Sequence, residues 1–290
     1  MLSGRDSHAV PPLCALAAAA ISLSLVMTGA WLVATTSGRS GWIDAIWSFA
    51  VGGAGAALAL LPSDGGSQPA TRHHVVALLA AFWSLRLGLY ITYRTMKGGD
   101  DPRYAQLRRD WGGDFRRRLF WFLQIQAACA LLLALAIAAA ARNPAPELRP
   151  ADWLGIIIML VAIAGEALAD RQMAQFRADP QNKGRVCDAG LWRYSRHPNY
   201  FFEWLGWLAY AAIAIDPAGA YRWGWITLCG PLFMYWLLVH VSGIPPLEAH
   251  MLRSRGDAFR AYQRRVNAFW PGPRAQPSST KTPGSPESWT

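Results

Sequence analysis

Charge is what this sequence lacks most. Asp, Glu, Lys and Arg make up 16% of its 290 residues while 53% are hydrophobic, against about 25% charged in an ordinary soluble domain. So few charges cannot coat a water-exposed surface, which leaves lipid as the solvent for much of the chain. Cysteine is sparse too. Cys14, Cys129, Cys187 and Cys229 lie far apart, a spacing that offers neither a disulfide framework nor a zinc site, and the thiols are expected to serve as small buried apolar groups. Internal repeats are missing. Gly52, Gly53 and Gly55 lack the strand-turn-helix setting of a phosphate loop, so close helix packing is their expected role.

The apolar residues gather in blocks near twenty residues long, at 11–34, 42–61, 73–93, 119–141, 152–169, 199–215 and 222–241. Each approaches the length a helix needs to cross a hydrocarbon core about 30 Å thick. The first imitates a secretory signal, with Arg5 ahead of it, but is longer than the usual apolar core of one. The sequence therefore predicts an all-α integral membrane bundle of about seven transmembrane helices, the sixth short or tilted, with ordered cytoplasmic loops. This domain is expected over 1–271, its cofactor-binding part mainly 86–271, followed by a disordered Pro/Ser/Thr-rich tail at 272–290.

A net charge of +10 invites a nucleic-acid reading, but its placement excludes one. Basic residues crowd between the third and fourth spans (Arg94 to Arg118), between the fifth and sixth (Arg171 to Arg196) and after the seventh (Arg253 to Arg265), and are few in the intervening loops. That alternation follows the positive-inside rule. It predicts an outside N-terminus, a cytoplasmic C-terminus and a multi-pass protein suited to a bacterial inner membrane. The bilayer is the expected macromolecular partner, with no nucleic acid; the sequence fixes no oligomeric state, and a monomer suffices.

Three clusters carry chemistry. Arg86, Tyr90, Arg94 and Lys97 recur at helical spacing on the third span, and an arginine as deep as Arg86 is costly unless it meets a wet cavity or an anion. The second cluster holds Glu166, Asp170, Arg177, Asn182, Lys183 and Arg185, then Trp192 to Tyr200 and Glu203. Arg177, Arg185, Tyr194, Arg196 and His197 supply donors for phosphates, while Asp170, Asn199 and Glu203 suit ribose hydroxyls and an amide-bearing ring; a bare lipid-binding basic patch needs no such carboxylates. The third, Glu248 and His250 past the last span, is placed to close over a ligand held by the second. Asp44, flanked by Trp42 and Trp47 at the start of the second span, is a candidate hydrogen-bond donor to a carbonyl or an interfacial helix-start residue.

Gly190-Leu191-Trp192-Arg193-Tyr194-Ser195-Arg196-His197-Pro198-Asn199-Tyr200 followed by Glu203, together with Asp101-Pro102-Arg103-Tyr104, Trp111-Gly112 and Ser242-Gly243-Ile244-Pro245-Pro246-Leu247-Glu248, resembles the steroid 5-alpha-reductase family, its bacterial branch in particular. The likeness runs from Trp42 to Pro271. It implies a seven-helix bundle that binds NADPH on the cytoplasmic side and reduces a carbon-carbon double bond conjugated to a ketone, with a steroid-like enone as substrate. By resemblance, cofactor contacts fall on Arg86, Tyr90, Arg94, Lys97, Asp170, Arg177, Arg185, Asn199 and Glu203, and Glu248 and His250 match the closing region. The family's substrate-polarising acid falls on Asp44, one methylene shorter than the glutamate of animal members. Its companion tyrosine falls near Trp83, whose indole N–H donates but is no general acid. Two rivals share features: a membrane methyltransferase similar to isoprenylcysteine carboxyl methyltransferase, and a sterol-binding protein that keeps the fold without turnover.

Overall fold

The computed structural model describes residues 11–62, 69–98 and 101–274. Among them it is helical throughout, without strands. The helices are α1 (Leu13–Ser37), α2 (Gly41–Ala59), α3 (Thr71–Lys97), α4 (Pro102–Trp111), α5 (Phe115–Ala141), α6 (Pro150–Ala178), α7 (Pro198–Ala214), α8 (Cys229–Trp236) and α9 (Ile244–Arg265). A 3-10 segment, Arg222–Leu228, leads into α8, and a π-helical turn, Leu237–Val241, follows it.

Six of these segments are long and apolar enough to cross a membrane, with α4–α5 counted as one and the stretch from Arg222 to Arg265 as another. The expected sixth span is α7, whose 17 residues reach about 25 Å and pack along α6. The tail expected at 272–290 lies outside the described residues from 275 onward.

α5 is the hub. Leu119, Leu123, Ala127, Ala130, Leu133 and Ile137, buried at intervals of three and four, face inward, and the helix touches α1, α2, α3, α7 and α8. Outward faces are apolar as well: Leu78, Phe82, Leu85 and Leu89 are exposed along α3, and Trp153, Ile157, Leu160 and Val161 along α6. A surface stripe of this kind is solvated by acyl chains.

In lipid, contact between helices rests on close approach, and the glycines supply it. A Cβ on Gly52 would lie 2.1 Å from Ser84 of α3, and one on Gly55 2.5 Å from Ile137 of α5, whereas one on Gly53 would meet nothing within 4 Å. Gly52→Ala is therefore expected to destabilise the bundle by about 1–3 kcal/mol and Gly53→Ala to be neutral, as read by thermal unfolding in detergent. The cysteines are all free, but Cys14 is exposed on α1 and Cys187 alone is fully buried; an outward thiol is no anomaly where the surroundings are hydrocarbon.

At the end of the bundle away from α4, Arg72, Arg142 and Arg149 turn inward. Arg142 donates to the carbonyls of Leu58 and Leu61, at 3.0 and 3.4 Å, ending α2. Arg149 donates to those of Ile213 and Ile215, ending α7. Arg72 forks onto Asp152 at 2.9 and 3.1 Å and reaches the carbonyls of Asn143, Ala145 and Glu147. Arg142 and Arg149 satisfy carbonyls that helix ends leave open, and Arg72 satisfies those of the loop between α5 and α6.

Candidate functional site

Asp101 caps α4. Its carboxylate accepts from the Arg103 backbone N–H at 2.9 Å and from Arg103 Nε at 3.0 Å, with Pro102 at the first helical position, where its missing N–H costs nothing. Burial works against the charge on Asp101, but Arg103 and then Arg94 outweigh it and hold the carboxyl below its usual range. The cap points the first turn of α4 at the first turn of α2. There one oxygen of Asp44 accepts from the Arg103 guanidinium and the other from the Tyr104 hydroxyl at 3.1 Å, while Gln126 Nε2 lies 3.4 Å from that hydroxyl. Both Asp44 oxygens act as acceptors, so the hydroxyl donor at this spot is Tyr104.

These groups form the polar end of a cavity of about 600 Å³, within the size range of small-molecule sites. Its apolar walls come from Trp47, Leu87, Ile91, Phe122, Met234 and Leu238. A second polar wall carries Glu166, Asp170, Asn199 and Glu203. Arg86 pairs with Glu166 at 2.6 Å and with Asp170, and Asn199 hydrogen-bonds Asp170. The cost of burying Arg86 is thus met by internal carboxylates rather than by an exogenous anion.

Trp83 sits apart from Asp44. Its indole N–H donates to Glu203 Oε2 at 2.8 Å, and its ring meets Trp207 edge-on at 5.3 Å. Tyr90, Arg94 and His250 line the cavity. Lys97 lies over the Tyr93 ring at 4.4 Å, exposed and outside the cavity. Tyr194 is also half-exposed, and its carbonyl accepts from the Gly272 N–H at 3.0 Å.

The remaining cations belong to a neighbouring cavity of about 410 Å³, lined by Arg177, Lys183, Arg185 and Arg255 with Phe176, Trp192 and Tyr262 among its apolar groups. His197 is the partition. It lines the second cavity, and its ring stacks at 5.5 Å on Tyr200, which lines the first. Burial pushes the imidazole pKa down, against the pull of Glu248, which favours the neutral ring. Nε2 lies 3.0 Å from a Glu248 oxygen, which can only accept, so Nε2 carries the proton and Nδ1 keeps a buried lone pair without a partner.

Arg196 and Glu248 are spent on each other, at 2.7 and 3.2 Å, with Arg196 also on the Val266 carbonyl and Glu248 on Gln263. This clamp fastens α9 over the His197 loop. Both residues were expected at the ligand; Arg196 does line the second cavity, while its pairing with Glu248 also holds the wall.

Tyr104, Arg103, Gln126 and Arg255 were not anticipated as site residues. A signal existed for three of them. Asp101-Pro102 is a helix start that fixes where Arg103 and Tyr104 point, and Gln126 is a polar residue inside an apolar span. Among the described residues no group of His, Cys, Asp and Glu is arranged to hold a metal ion.

No solved structure matches this chain. An uncharacterized protein of Schizosaccharomyces pombe, C594.04c, is 27% identical over 227 residues, covering 68% of this chain and 62% of that protein. The chain thus spans 62% of the length of that curated relative. Residues 30–266, which contain every group named in the two cavities, match the family described as "Protein of unknown function (DUF1295)", and the chain belongs to that family.

Proposed function

We propose that this protein is an NADPH-dependent membrane reductase that saturates the double bond of a lipophilic, steroid-like enone. One juxtaposition carries the reading: a hydroxyl held beside Asp44 and Arg103 at the polar end of an apolar cavity, next to a second cavity lined with cations. The donor set suits the cofactor. Arg177, Lys183, Arg185 and Arg255 offer charge-assisted hydrogen bonds to phosphates, the aromatic groups around them offer a surface for a flat base, and His197 Nδ1 awaits an N–H or O–H donor. Asp170 and Asn199 suit ribose hydroxyls. NADPH bound across the partition would supply the hydride.

The chain supplies the rest. The Tyr104 O–H, which donates to Asp44 in the ligand-free site, would turn to the ketone oxygen, and Arg103 offsets the negative charge that develops there, a preorganised electrostatic contribution. Trp47, Phe122 and Leu238 give the cavity an apolar wall for the ring system, and the α carbon would take its proton from solvent once the hydride has reached the β carbon. Both cavities lie at the end of the bundle that carries the arginine-rich segments, the cytoplasmic side by the positive-inside rule.

The acidic wall supports a second reading. Glu166, Asp170 and Glu203 outnumber Arg86, and such a wall favours a cationic ligand such as the sulfonium of S-adenosylmethionine. Calorimetric titration of the purified protein with NADPH and with S-adenosylhomocysteine separates the two. We expect NADPH to bind, Arg177→Ala to weaken it by about 10- to 100-fold, and S-adenosylhomocysteine to give no heat. Binding of S-adenosylhomocysteine alone would overturn the reductase reading. NADPH binding without 340 nm decay in the presence of a 3-oxo-4-ene steroid would leave a sterol-binding protein without turnover.

A further inference from the structure

We infer that the elbow between α4 and α5 is a binding site for the headgroup of an anionic phospholipid. Residues 108–118 carry five arginines, Arg108, Arg109, Arg116, Arg117 and Arg118, against Asp110 and Asp114. None of them lines either cavity, so the inference is independent of the reductase reading. Gly112, with φ +50°, lets the chain turn sharply between the helices and present both sets of arginines on one bend. A β-carbon there would be strained.

Arg117 and Arg118 are 75% and 54% exposed, and each reaches Asp114 at 3.6 and 3.8 Å. Pairs this long and this wet neutralise little of the charge. Arg116 lies over the Trp31 ring at 5.8 Å, and the Trp31 indole N–H donates to the Arg116 carbonyl at 2.8 Å, which fixes the start of α5 against α1. Beyond the arginines along α5, Trp121 and Ile125 are each 63% exposed.

The order is therefore guanidinium, then indole, then aliphatic surface, which is the order of phosphate, interface and acyl chain in a bilayer leaflet. A basic cluster directly beside a spanning helix attracts anionic lipid. A soluble anion would use the arginines alone and leave Trp121 and Ile125 without a role; a phospholipid uses both.

The test is lipid retention by the full chain. Wild type, Arg117→Gln/Arg118→Gln and the α9 control Arg260→Gln/Arg264→Gln would be placed in nanodiscs of equimolar phosphatidylglycerol and phosphatidylcholine, and the lipids kept after release counted by native mass spectrometry. Wild type and the α9 control should keep phosphatidylglycerol over phosphatidylcholine, and the elbow variant should lose that preference by about fivefold per arginine. An undiminished preference in the elbow variant, or an equal loss in the α9 control, would overturn the inference. Where the elbow variant fails to elute as a single species, wild type decides: inorganic phosphate displacing the retained lipid as well as short-chain phosphatidylglycerol does would overturn it too.

Discussion

Tyr104→Phe is expected to lower NADPH-dependent reduction of a 3-oxo-4-ene steroid by about 10²- to 10⁴-fold, with NADPH affinity unchanged. The change removes only the hydroxyl that lies 3.1 Å from Asp44 and keeps the ring that fills the site. Asp44→Asn should abolish reduction in the same manner while leaving the cofactor bound, because the Asp44 carboxylate holds both Tyr104 and Arg103 in place. Trp83→Phe makes a useful contrast. It would leave Glu203 short of one donor yet keep Tyr104 poised, so its loss of rate should be much smaller. Measuring kcat and the calorimetric NADPH affinity for all three decides the matter. Full turnover by Tyr104→Phe, or a collapse in Trp83→Phe alone, would move the proton donor away from Tyr104.

Asp152→Ala is expected to destabilise the fold by about 3–5 kcal/mol, the largest stability effect predicted here. Arg72 and Asp152 are 4% and 0% exposed and joined by two hydrogen bonds. Asp152 also accepts from the Arg149 N–H at 2.6 Å at the start of α6, so its loss uncaps a helix and leaves the Arg72 charge without its carboxylate. Replacing the pair together, Arg72→Met with Asp152→Leu, should cost less than Asp152→Ala alone, because no buried charge then lacks a counterion. Thermal unfolding in detergent measures both. Equal melting points for wild type and Asp152→Ala would show that the carbonyls around Arg72 suffice.

The division of labour in Arg86 and Arg196 shows where reading the sequence stops. The cost of burying a guanidinium is legible in one dimension, since a charge inside an apolar block needs a partner. The partner's identity is not. Arg86 meets Glu166 and Asp170, some eighty residues away, and Arg196 meets Glu248 while also lining the second cavity, so each charge is answered by carboxylates that no local spacing reveals. Trp83 likewise turned to Glu203, and the hydroxyl beside Asp44 came from Tyr104 on a short helix between spans.

By itself the sequence determined the all-helical class, the apolar segments and the gathering of basic residues at one end, because each depends on local length, periodicity and composition against the thickness of a bilayer. It also pointed to close packing at Gly52, Gly53 and Gly55, which holds for Gly52 and Gly55 but not for Gly53, where a Cβ would meet nothing within 4 Å. Only the tertiary structure decided that the polar residues divide between two cavities joined at His197 and Tyr200, because that depends on which distant side chains satisfy one another's charge, a long-range matching that no spacing along the chain encodes.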